Sequence, residues 1–219
     1  MLAPPWVTHG GAFARNLHRH HWEDFRFFRH TRAQVHSVAD CFTRPSAWPG
    51  LYRPLSTNCY YRAGQALWGN RVEPYHVVNA VTFVVNGVLL FVIARRLLPL
   101  PLAMLVPVLW TSRVALRQVL LYTSEFQALG STFFSLLALA LALPPRMEEA
   151  DAPQGQRREA MALLAFAVAL LSKESAVALP VIVSATTWLF GARRWRRDLA
   201  WWGLSAAWAV LFALVLRGV

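Results

Sequence analysis

Lysine is almost missing from this sequence: of 22 basic residues, 21 are arginine and only Lys173 is lysine. Acidic residues are also scarce, eleven in 219, which leaves a net charge of +11. Charged residues total 15%, where an ordinary soluble domain carries roughly 25%. These shortages exclude a disordered chain and a typical soluble enzyme. Thirteen prolines and eleven glycines, scattered along the chain, exclude a collagen or a low-complexity protein. The two cysteines, Cys41 and Cys59, fit neither a C-x-x-C motif nor a Cys/His metal pattern. Both fall in one polar segment. A disulfide there requires that the segment be extracytoplasmic; two unpaired thiols are the simpler reading.

What is abundant is apolar sequence, 56% of the chain. It comes in long uncharged runs, the mark of a multi-pass membrane protein. Val77–Ala94 has 18 residues without a charge, about 27 Å as a helix. Arg95 and Arg96 end it. Leu97–Ser112 is again uncharged, followed by Arg113 and Arg117. Gln118–Leu143 holds one acid, Glu125. A polar connector, PPRMEEADAPQGQRRE, leads to Ala160–Gly191, which is 32 residues long and interrupted only by Ser172-Lys173-Glu174-Ser175. That run is too long for one span and predicts two short helices meeting near Lys173. A four-arginine cluster within 193–197 precedes the last run, Leu199–Leu216. These runs lack a two-residue alternation, so they read as helices and not as barrel strands. The expectation is an all-α polytopic membrane protein with about six transmembrane helices in 77–219. Residues 1–76 read as a large extracytoplasmic, polar and irregular loop region. No repeat of 20–50 residues is present.

Charge sets the orientation. Arg95/Arg96, Arg146/Arg157/Arg158 and the 193–197 cluster give nine positive residues on one side. The opposite short loops hold four: Arg113, Arg117, Lys173 and Arg217. The richer side reads as cytoplasmic. Residues 1–76 then lie outside despite their nine arginines, because the rule governs short loops near helix ends. The bland reading of the arginine excess is compositional bias. The clusters flank apolar runs instead of forming one stripe, which argues against a nucleic-acid partner.

Few residues are left to carry chemistry. Ionisable groups at membrane depth are costly, which singles out Lys173, Glu174 and Glu125. Lys173-Glu174 has two readings. One is a helix start with Ser172 as N-cap and Glu174 favoured by the dipole. The other is a cation presented to an anionic ligand on the outer face. Glu23-Asp24 places adjacent carboxylates among aromatics, where repulsion and apolar surroundings raise a pKa toward that of a general base. The plainer reading pairs them with Arg26 and Arg29. His18, His20 and His21 lack the third-ligand pattern of a metal site. In Leu51-Tyr52-Arg53-Pro54-Leu55 the arginine can grip phosphate bidentately, or simply be solvated beside a proline turn.

These motifs come in a telling order. Glu23-Asp24 precedes Tyr52-Arg53-Pro54-Leu55, then Tyr75-His76-Val77-Val78-Asn79 with Asn86 seven residues on, then Leu171-Ser172-Lys173-Glu174 before a helix containing Pro180. From about His21 to Trp188 the chain resembles the N-terminal half of a C-type, polyprenyl-phosphate-dependent glycosyltransferase. It is most similar to the transmembrane and tetratricopeptide-repeat O-mannosyltransferase group and its bacterial relatives. There are departures. The family usually has Asp-Asp where this chain has Glu23-Asp24, and often a His where it has Phe83. A His-Pro and a Glu usually mark the next turn, which here reads TSRVALRQVLLYTSEF with Gln118 near the expected Glu.

The resemblance implies an inverting glycosyltransferase of the cell membrane (the bacterial inner membrane, or the endoplasmic reticulum in a eukaryote). Its donor would be a polyprenyl-phosphate sugar, its acceptor a protein hydroxyl or a glycan. Asp24 or Glu23 would be the catalytic base. Arg53, Lys173, Arg113 and Arg117 would bind the leaving phosphate, with Glu174 orienting Lys173. No resident cofactor is implied, although a divalent cation has room in the scheme. The family unit is about twice this length and begins with a helix before the acidic loop, so the chain reads as a fragment. Two other readings stand beside it: a transporter component, because broken helices carrying charge are a transporter device, and a non-catalytic membrane scaffold or relic.

Overall fold

The computed structural model describes residues 28–46, 50–69, 71–112, 122–144, 155–189 and 195–217. Within them the chain is helical, and no strand occurs among the described residues. Helix α1 covers 28–34 and α2 Val38–Thr43. A π turn, Pro54–Cys59, runs straight into α3, Tyr60–Trp68. Then come α4, Glu73–Leu97, and α5, Leu100–Thr111. A 3₁₀ turn, Thr123–Glu125, starts α6, Phe126–Ala142. Helix α7, Gln156–Ser172, breaks at Lys173; a second 3₁₀ turn, Glu174–Ala178, leads into α8, Leu179–Leu189, and α9, Trp195–Arg217, follows.

Among the described residues, three stretches are long and apolar enough to cross a bilayer: Glu73–Leu97, Thr123–Ala142 and Arg197–Arg217. Two shorter apolar ones, Leu100–Thr111 and Glu174–Leu189, accompany them. The expectation of about six crossings thus meets three helices of full length. With 12 residues, α5 spans only about 18 Å. The break expected near Lys173 is present. Residues 1–76 depart from the irregular loop expected, since their described part is largely helical and packs onto the apolar helices.

Helix α4 shows why the bundle holds. Asn79, Phe83, Asn86 and Ile93 recur at helical spacing and are buried, while Val77, Val81, Val84 and Val88 point outward. An inner face that mixes amides with packed apolar side chains, and an outer face that is apolar, suit a lipid surround. Asn79 Nδ2 donates to the carbonyls of Tyr122 (3.0 Å) and Thr123 (3.4 Å), and Asn86 Nδ2 to that of Leu129 (3.0 Å). Both amides therefore tie α4 to the start of α6. Phe83, between them on the same face, stacks on Trp110 of α5 with ring centroids 4.4 Å apart.

Helices α6 and α7 form the central hairpin. Ala138 and Ala142 meet Ala162, Ala165 and Ala169, all buried. Their four- and three-residue spacings put small side chains on facing stripes and allow close backbone approach. Ser131 Oγ donates to the Ala169 carbonyl (3.2 Å). Trp201 of α9 stacks on Phe166 of α7 with centroids 4.8 Å apart. On the opposite end an aromatic cluster joins the N-terminal helices to the bundle: Phe28, Tyr61 and Tyr75 form its core, and Tyr60 lies flat on Phe126, centroids 3.7 Å apart.

Candidate functional site

The site is built around Arg53. Pro54 opens the π turn after it, and the turn is fastened to α2 by buried polar groups. The Arg53 amide donates to Ser46 Oγ (2.9 Å), and Asn58 Nδ2 donates to the carbonyls of Cys41 (3.0 Å) and Arg44 (3.1 Å). Tyr52 donates its hydroxyl to the Phe42 carbonyl (3.0 Å). Ser56 Oγ donates to the carbonyl of Ser172, one of the last carbonyls of α7. The Tyr-Arg-Pro-Leu segment is thus docked directly on the broken helix.

Arg53 then forks. Its Nε donates to Glu174 Oε2 (2.8 Å) and one terminal nitrogen to Glu174 Oε1, a bidentate ion pair. The other terminal nitrogen donates to Gln127 Oε1 at the start of α6. Three segments far apart in sequence converge here. The Arg53 side chain is only 11% exposed, while that of Glu174 is 37% exposed, so the pair sits at the rim of the bundle. An uncompensated buried partner costs about 3–5 kcal/mol; with solvent reaching Glu174, about 2 kcal/mol is the reasonable scale for losing this pair.

The partnership differs from the one expected. Glu174 holds Arg53, not its neighbour Lys173. The reason is backbone geometry: Lys173 is extended (φ −161°, ψ 139°), so its side chain leaves in a different direction from that of Glu174. Nor does Ser172 cap the next helix, because its hydroxyl donates back to Val168 (2.7 Å). Lys173 is half-buried, and among the described residues no carboxylate lies within ion-pair distance of it, although Glu174 is near enough to feel its charge. Two cations and one carboxylate therefore leave the site net positive. The Arg53 guanidinium is fixed by its three side-chain bonds, while the Lys173 ammonium has none of that kind.

Among the other sequence candidates, Glu23, Asp24, Arg113 and Arg117 lie outside the described residues, as do His18, His20 and His21. Glu125 sits in the 3₁₀ turn two residues before Gln127. Among the described residues no three His, Cys, Asp or Glu side chains gather. Cys41 and Cys59 are free thiols. Burial, and then the neighbouring Cys41 thiol, push Cys59 up to about 12. Sequence reasoning missed Gln127, whose only signal was a polar residue at the start of an apolar run.

Comparison with protein-family models, with curated proteins and with solved structures finds no match.

Proposed function

We propose that this chain forms an integral membrane glycosyltransferase using a polyprenyl-phosphate sugar donor, with a protein hydroxyl or a glycan as acceptor. The observation that carries the reading is the ion pair between Arg53 and Glu174, 121 residues apart. It unites the two motifs, Tyr-Arg-Pro-Leu and Leu-Ser-Lys-Glu, that most mark the resemblance. In this reading Glu174 fixes Arg53 and leaves Lys173 to meet the lipid phosphate. Charge developing on that phosphate as the glycosidic bond breaks is stabilised by a preorganised cation. Asp24 or Glu23 takes the acceptor hydroxyl proton. The proposal includes about six crossings of the cell membrane, with residues 1–76 outside and the arginine-rich ends in the cytoplasm.

The test is transfer of radiolabelled mannose from a short-chain polyprenyl phosphate to a hydroxyl-bearing peptide by the purified full chain. Lys173→Ala should abolish transfer and weaken donor binding at least tenfold, with helical circular dichroism intact. Glu23→Gln with Asp24→Asn should abolish transfer while leaving donor binding unchanged. A wild-type chain that binds no donor would end the proposal; unchanged transfer in the double amide would remove only the general base. The charged break between α7 and α8 also favours a transporter component as a second reading. Donor uptake into vesicles without transfer would select it.

A further inference from the structure

At the far end of the bundle from Arg53 lie arginines whose sequence pattern marks only topology. The structure gives three of them a shared place. Helix α6 ends with carbonyls that have no intrahelical partner. Arg96, near the end of α4, donates one terminal nitrogen to the carbonyls of Ala140 (2.5 Å) and Leu143 (3.1 Å). Arg158, in the first turn of α7, donates one terminal nitrogen to the same two, at 3.2 and 2.6 Å. Arg197, in the first turn of α9, reaches the Ala142 carbonyl (3.4 Å). Three helices thus place guanidinium groups around the negative end of a fourth, where the dipole favours cations.

The collar is over-supplied with charge. Arg96 and Arg158 share both acceptors, so two like charges lie side by side. Among the described residues neither has a carboxylate partner; Glu159, next to Arg158, forms no ion pair, and Asp198 lies 3.9 Å from Arg197. A guanidinium has five donors, and these carbonyls take one terminal nitrogen from Arg96 and one from Arg158. Among the described residues no acceptor meets the other terminal nitrogen or Nε of either, and these lie in the fork geometry that suits phosphate. Exposed apolar side chains flank the collar: Leu97, Leu98, Met161, Trp195 and Leu199.

We propose that this collar binds the phosphate of an anionic phospholipid in the adjoining leaflet, with the acyl chains lying along the apolar residues beside it. A lipid is favoured over a free anion because the flanking surface is apolar and the arginines stand at helix ends, where headgroups lie. The site does not depend on the glycosyltransferase reading.

The experiment uses the full chain in neutral detergent and reads retained lipid by native mass spectrometry and melting temperature by fluorescence. Phosphatidylglycerol, phosphatidylcholine and inorganic phosphate are the probes. Phosphatidylglycerol should be retained preferentially and raise the melting temperature, while phosphatidylcholine and inorganic phosphate do neither. Each arginine near an anionic surface contributes about fivefold, so Arg96→Gln should reduce the preference about fivefold, and Arg158→Gln the same. Arg95→Gln should leave most of it. Equal retention of both lipids by the wild type overturns the proposal without any variant needing to fold. Equal protection by inorganic phosphate overturns it in favour of a free-anion site. A preference appearing only after Glu148→Gln, Glu149→Gln and Asp151→Asn overturns it too, since the chain's own connector would then fill the collar.

Discussion

Adjacent charged residues invite the assumption that they serve each other, and Lys173-Glu174 shows where that fails. One extended residue turns neighbouring side chains apart, and the carboxylate finds an arginine from another segment. Cys59 offers a test at the same scale. Its thiol is raised to about 12, by burial first and by Cys41 second. A raised folded-state value means the neutral form is favoured by folding. The contribution is full below the unfolded thiol value near 8.5, and is lost as pH climbs toward 12. Melting temperature should therefore fall between pH 9 and 11 more steeply in the wild type than in Cys59→Ser. Parallel curves would remove the claim. At pH 8 iodoacetamide should modify the native thiols far more slowly than the unfolded ones.

Among the elements, α3 and α4 are locked by a close approach. A Cβ at Gly64 would lie 2.5 Å from Cε1 of Tyr75, and that ring is hemmed in by Phe28, Tyr61 and Trp68. Gly64→Ala gains about 1 kcal/mol of helix propensity and loses about 1–3 kcal/mol to overpacking. The loss wins: urea titration should show net destabilisation of about 1 kcal/mol. A stabilised variant would mean the ring moves freely. The uncharged run Val77–Ala94 announced α4, and four polar residues in a long apolar run announced the break after α7. The helices between 28 and 68 were hidden, because aromatic residues at Phe28, Tyr60 and Tyr61 bury against distant partners and blur any local period. The meeting of Arg53, Gln127 and Glu174 was hidden for the same reason: no local pattern encodes a contact across 121 residues. Asn79 and Asn86 were legible as a motif, but their work as ties between helices emerged only from the carbonyls they meet.

For the whole molecule, the two polar centres lie at opposite ends of the α6–α7 hairpin. Arg53 and Glu174 stand where α7 ends, and Arg158 stands where it begins. If the hairpin crosses the bilayer as proposed, these ends face different compartments. In a chain with Cys41 and Cys59 replaced by Ser, Arg71→Cys should react with a membrane-impermeant maleimide in intact cells. Gln156→Cys should react only after permeabilisation. The reverse pattern would invert the orientation, and labelling of both in intact cells would remove the crossing.

The arginine collar also sets a timetable for synthesis. Its acceptors on α6 leave the ribosome after Arg96 but before Arg158, and Arg197 comes last. Early in translation a single guanidinium must serve those carbonyls alone. The second arrives only at the end of the connector, fifteen residues after Leu143, and the third when α9 begins. Maturation of this end is therefore stepwise, and nascent chains stalled before residue 158 should present a carbonyl-rich terminus to the insertion machinery that the finished protein conceals.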